Sequence, residues 1–165
     1  MGGHIRAARA DEADALTELA LRSKALWGYD ARFVADCRAE LTVTPRYVRE
    51  HTVYVCEEEV DGKALADDKA EGSGRVVGFY SLVGKGSSVD LDLLYVEPSA
   101  VGRGHGRRLF AHAAETARRL GFRLMTIKAD PHAEAFYRAM GAARVGEVDS
   151  PVRAGRTLPL LHLPL

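Results

Sequence analysis

The sequence predicts a mixed α/β fold of the α+β kind: a central, mostly antiparallel, twisted sheet of about seven strands flanked by about four helices. Three observations lead there. Short β-branched or alternating stretches are interleaved with segments whose apolar residues step by three and four. The order is a strand, two helices, three strands, and then helices alternating with strands. Finally, 165 residues without a repeat or a linker read as one domain over 1–165, large enough to bury a core.

Each element has its own signal. "HIRAARA" from His4 is a short strand, and Asp11 is the expected N-cap of a first helix with Leu16, Leu19, Ala20 and Leu26 on one face. Gly28 stops it. Asp30 opens a second helix carrying Phe33, Val34, Cys37 and Leu41, and Pro45 closes that region. "TVYVCEEE", "RVVGFYSLVG" and "SSVDLDLLYVEP" are strands by alternation and β-branching, the last two an expected antiparallel pair. Between the first two lies "DGKALADDKAEGSG", a polar connection of solvated charges. Leu109, Ala113, Ala117 and Leu120 give a third helix that Gly121 terminates, and "HAEAFYRAMG" gives a fourth that ends at Gly141. "RLMTIKA", "AARVGEV" and "TLPLLHLPL" are the late strands.

Composition excludes several classes. Formal net charge is zero, so no global field attracts nucleic acid or an anionic membrane. No apolar run approaches the ~20 residues of a membrane span, and the N-terminus lacks a signal-like apolar stretch; a cytoplasmic location is the expectation. "MGG" resembles a myristoylation start, but Arg6 stands where Ser or Thr is needed. Cys37 and Cys56 have no redox or metal spacing and read as buried thiols. His51, His112 and His162 show no partner pattern, and no metal site is expected.

The most informative stretch is "AVGRGHGRRLF". A strand ends at Pro98, three alternating glycines follow, and a helix begins near Gly104. The first turn of a helix carries free N–H groups and about half a positive charge. Glycines let an anion reach those groups, and Arg103, Arg107 and Arg108 add forked donors. A P-loop needs Gly-Lys-Ser/Thr here, whereas Gly106 precedes two arginines; the dinucleotide fingerprint fails because its last glycine falls on Arg107.

"LLYVEPSAVGRGHGRRLF", followed by "DPHAEAFYRAMGA", resembles the GNAT superfamily of acyl-CoA-dependent N-acyltransferases. The family's Gln/Arg-x-x-Gly-x-Gly/Ala signature aligns with Val101 to Gly106, Val101 replacing the usual first residue. The resemblance implies the GNAT fold and an acetyl-CoA site. In it, the main chain of Gly102, Arg103, Gly104, His105, Gly106 and Arg107 cradles a pyrophosphate. Leu94, Tyr95 and Val96, on a strand splayed from its neighbour, bond the pantetheine arm. Tyr137 matches the tyrosine that often serves as general acid near the thioester sulfur, and His132 stands where Asn is common, as a coenzyme contact.

Acyl transfer to an amine needs a neutral nitrogen, a polarised carbonyl and a protonated leaving thiolate. An amine of pKa about 10.4 is scarcely neutral at pH 7, so a base or water chain helps. Asp90 and Asp92 are the candidates, since with Leu94 and Val96 they alternate onto one strand face. Some relatives carry a glutamate base at the Asp90 position. Glu97, beside Pro98, reads as a surface turn residue, and His105 as facing phosphate or solvent. In "LWGYD", Trp27 and Tyr29 offer an aromatic wall for the amine acceptor. The expected activity is N-acetyl transfer to a primary amine of a small molecule or peptide. The alternative is a catalytically silent acyl-CoA-binding module, for which Val101 and His132 speak. The apolar tail "GRTLPLLHLPL" either finishes the sheet or pairs across a homodimer.

Overall fold

The computed structural model describes residues 3–59 and 74–165; the connection "DGKALADDKAEGSG" lies, but for Gly74, outside the described residues. Seven strands form one sheet in the order β1-β2-β3-β4-β5-β7-β6, comprising β1 (His4–Ala7), β2 (Thr52–Glu58), β3 (Arg75–Lys85), β4 (Ser88–Val96), β5 (Leu124–Lys128), β6 (Ala143–Asp149) and β7 (Thr157–Pro164). All neighbours are antiparallel except β4 and β5. That parallel pair is joined through the longest helix, as a crossover requires.

Among the described residues six helices flank the sheet: α1 (Ala13–Ala25), α2 (Ala31–Asp36), α3 (Arg38–Leu41), α4 (Pro45–Glu50), α5 (His105–Arg119) and α6 (Glu134–Ala139). The expected second helix is interrupted at Cys37 into α2 and α3. Pro45 opens α4 rather than closing a region, because at the first helical position its missing N–H costs nothing. Thr44 caps that helix by accepting from the Tyr47 N–H at 3.0 Å, and Asp30 caps α2 through the Phe33 N–H at 2.8 Å. Asp11 caps nothing; it sits in a 3-10 turn (Ala10–Glu12), and Glu12 instead accepts from the Arg9 N–H at 2.7 Å.

Two cores sandwich the sheet. On one face Leu109, Phe110, Ala113 and Ala117 of α5 pack with Tyr137 of α6 against Val77, Tyr80, Met125 and Ile127. On the other, Leu16, Leu19, Ala20, Phe33 and Leu41 pack against Val53, Val55, Phe79 and Leu93. Cys37 and Cys56 are buried free thiols. Among the described residues no helix is long and apolar enough to cross a membrane.

Candidate active site

β5 pairs with β4 only from Ser88↔Leu124 to Asp90↔Thr126; beyond that the strands part. β4 runs on to Val96 bonded to β3 alone, so Leu91–Val96 have no ladder partner on the other side. The parting opens a cavity of about 580 Å³. Leu91 and Ile127, each next to the last paired residues, line it where the strands diverge.

Leu94, Tyr95 and Val96 line one wall. At their end, Gly102 and Gly104 adopt φ of 85° and 84°, a left-handed conformation that only glycine takes cheaply, and Gly104 caps α5. The first intrahelical bond of α5 runs from the Arg108 N–H to the Gly104 carbonyl at 3.1 Å. The N–H groups of His105, Gly106 and Arg107 precede it and stay free of the helix ladder, beside a cavity that Gly102, Gly104, His105, Gly106 and Arg107 all line.

Of the three arginines, only Arg107 lines the cavity. Arg103 pairs with Glu58 at 3.0 Å, and Arg108 donates to the Gly3 carbonyl. The His105 ring does not face the loop's open side: it is 3% exposed, 2.7 Å from Glu58 through Nε2 and 3.7 Å from Cys56 Sγ through Nδ1. What His105 offers the cavity is therefore main chain.

Tyr137, on α6, lines the opposite side, its ring against Phe110 and Phe136. Gly141, at φ 103°, ends α6 by donating to the Arg138 carbonyl, while Ala142 donates to that of Tyr137 itself at 3.0 Å. The ring is 7% exposed, and its hydroxyl makes no hydrogen bond among the described residues. Burial, reinforced by the nearby Asp130 charge, pushes the phenol well above its ordinary range and keeps it protonated.

The expected alternation on β4 does not hold. The register steps from Ser81↔Leu93 to Leu82↔Leu91, leaving Asp92 as the extra residue of a bulge. Val89 and Leu91 consequently share a core with Leu94 and Val96, while Leu93 and Tyr95 belong to the other. Asp90 thus points away from Leu94 and Val96 and does not line the cavity. Asp92 does: its carboxylate accepts from the Tyr47 hydroxyl, which in turn lies 2.8 Å from Ser81 Oγ.

Trp27, Leu26 and Ser23 from the end of α1 close the cavity's other mouth. Trp27 stacks on His132 at 5.3 Å with 8° between planes; His132 itself does not line the cavity. Tyr29 is also turned aside: it donates to Asp130 at 3.0 Å and accepts from Arg156 at 2.7 Å. Asp130 lines the cavity and binds Lys24 at 2.5 Å, and this pair is only 9–10% exposed. Burial alone would raise the Asp130 carboxyl, but the Lys24 hydrogen bond and charge hold it below the usual carboxylate range. Glu97, expected at the surface, is buried, gripped at 2.9 and 2.7 Å by both arms of Arg22, which lower its pKa despite burial. Leu91, Ile127, Lys128 and Asp130 were not singled out from sequence. Only Asp130, before Pro131 at a strand's end, carried a local signal as a capping residue.

A family model described as the acetyltransferase (GNAT) domain matches residues 49–141. Among solved structures, the chain is similar to the PaiA N-acetyltransferase of Thermoplasma acidophilum in complex with coenzyme A (14% identity, 100% of each chain, TM-score 0.74). It is similar to a GCN5-related N-acetyltransferase from Rhodopseudomonas palustris (19%, 100% of this chain and 97% of that one, 0.72). It is also similar to a GNAT superfamily phosphinothricin acetyltransferase from Sinorhizobium meliloti in complex with acetyl-CoA (20%, 100% and 89%, 0.66). No curated protein matches the sequence.

Proposed function

The chain belongs to the GNAT acetyltransferase family, and from that premise we propose that it transfers an acetyl group from acetyl-CoA to a primary amine of a small molecule or peptide. One observation carries the reading: a single cavity joins the unpaired edge of β4, the N-terminal turn of α5 and Tyr137.

The residues present fit the coenzyme. The N–H groups of His105, Gly106 and Arg107, with the Arg107 guanidinium, are donors for a pyrophosphate, and the open glycines before them let it approach. The free β4 edge from Leu94 to Val96 offers hydrogen bonds to an amide-bearing arm, as an added strand would take them. Acetyl-CoA supplies a thioester carbonyl, which the amine nitrogen attacks, forming the N–C bond as the C–S bond breaks and the electron pair leaves on sulfur. Tyr137 donates its hydroxyl proton toward that sulfur; burial keeps the proton on oxygen until charge develops nearby. Asp92 receives the ammonium at the cavity wall and takes its proton, directly or through water. Support for Asp92 over Asp90 is position, since Tyr47 clamps one Asp92 oxygen while Asp90 lies outside the cavity.

Tyr137→Phe keeps the ring and removes the proton. With an accepted amine, the turnover number is expected to fall about a hundredfold or more, the usual contribution of a positioned acid. Stabilisation by acetyl-CoA should survive: about 2.7 kcal/mol at a hundredfold excess over Kd, or roughly 5–11 °C in Tm. Unchanged turnover removes the acid from Tyr137. Coenzyme binding without turnover on any amine favours a silent binding module.

A further inference from the structure

The cavity's two lips carry opposite charges on the α1 side of the sheet. On β5 and the two residues after it, Met125, Ile127 and Ala129 are buried in the core with α5, so Thr126, Lys128 and Asp130 fall on the α1 face, where Asp130 meets Lys24 and Tyr29. On β4, Asp92 faces the same side, since its partner Tyr47 packs there. Lys128 and Asp92 both line the cavity, both are exposed, and neither has an ion-pair partner among the described residues.

Of the neighbouring charges, Arg107 at the α5 turn and Asp90 outside the cavity have no ion-pair partner among the described residues, and the rest are matched. Arg22 is held by Glu97, and Arg103 by Glu58. Lys24 and Arg156 share the single carboxylate of Asp130, which leaves that lip with more positive than negative charge even before Lys128 is counted. A carboxylate with no ion-pair partner, one oxygen held by Tyr47, thus stands on the β4 lip, and an ammonium with no ion-pair partner stands within a cationic surround on the β5 lip. Both lie past the last paired residues, Asp90 and Thr126, where the strands no longer keep the ~4.8 Å spacing of a ladder. No ion pair joins the two among the described residues, so both remain for a ligand between them.

Resting on the acetyltransferase reading, the geometry points to an acceptor that is itself zwitterionic: a primary amine bearing a carboxylate, its ammonium on Asp92 and its carboxylate on Lys128. Lys128 is then a specificity-determining residue. It discriminates by charge complementarity, while an acceptor with a second cation meets a positive lip. Trp27 lines the same cavity and offers apolar surface to the carbon chain.

The test pairs each amine with its carboxylate-bearing counterpart, such as n-butylamine with γ-aminobutyrate and amino-acid amides with the free amino acids. Thiol release at saturating acetyl-CoA gives kcat/KM for each. The wild-type ratio is expected to favour the carboxylate by about fivefold or more at low salt and to shrink as salt rises. Lys128→Met should bring the ratio toward one, and Lys128→Glu should invert it. Stabilisation by acetyl-CoA checks that both variants are folded. A wild-type ratio at or below one, or a ratio that both variants leave unchanged, overturns the inference while the acetyltransferase reading stands. Turnover of no amine by a protein that acetyl-CoA still stabilises overturns that reading, and this one with it.

Discussion

Asp130 shows how one side chain joins parts of the chain that sequence keeps apart. Its two oxygens receive Lys24 of α1, Tyr29 of the following turn and the His132 N–H, with Arg156 3.6 Å away. Removing one partner from a buried pair leaves a desolvated charge, so Lys24→Met should cost about 2–3 kcal/mol, softened by the partners that remain. Because the folded carboxyl titrates below its unfolded value of about 4, its contribution is complete above that pH and is lost as acid titrates the folded group. Urea denaturation of wild type and Asp130→Asn should therefore show a stability gap at pH 7 that narrows by pH 3; a constant gap would show that the charge is not what stabilises. Little of this was legible in the sequence. Lys24 carries no signal of its own in the sequence and Tyr29 reads as an acceptor wall; only the fold turns both toward Asp130. For Glu97, proximity to proline suggested a surface turn, and Arg22, 75 positions earlier, is what permits its burial.

At the scale of elements, local signals carried further. Glycines that end helices did so where expected: Gly121 and Gly141 take positive φ and close α5 and α6 with paired hydrogen bonds to the preceding turn. The strand-to-helix loop is equally local, because positive φ at Gly102 and Gly104 is a property of the backbone itself. Nothing stands within 4 Å of a Cβ built at Gly104, so Gly104→Ala tests conformation rather than sterics. It should destabilise by about 1–2 kcal/mol and weaken acetyl-CoA binding; binding that survives at full strength would remove the α5 N-terminus from the coenzyme site. The bulge on β4 was not legible. Alternation put Asp90, Asp92, Leu94 and Val96 on one face, but an extra residue reverses the parity, and register against β3 determines where it falls. Helix count erred for a similar reason: the break at Cys37 and the start at Pro45 depend on how Phe33, Cys37 and Leu41 all reach one core.

Across the whole molecule, the cavity exists because two strands that begin as neighbours stop pairing. Trp27, the only tryptophan, is 41% exposed at its rim and makes the opening observable. Titration with acetyl-CoA should change Trp27 emission in step with thermal stabilisation. Saturation without any emission change would mean that the coenzyme leaves the α1 mouth untouched. By itself the sequence determined the element types, the mostly antiparallel sheet, the glycine-rich turn into α5 and the candidacy of Tyr137. The element types and the turn follow from backbone preference and periodicity within a dozen residues, the sheet from the order of elements, and the candidacy of Tyr137 from the resemblance to the GNAT superfamily. Tertiary structure alone decided that β4 and β5 part after Asp90 and Thr126, that Asp92 rather than Asp90 borders the cavity, and that Lys128 stands free across from it while Lys24 does not. Those outcomes depend on register, bulges, ion pairs and hydrogen bonds, the last between residues up to 127 positions apart, and such partners are chosen only when the chain packs.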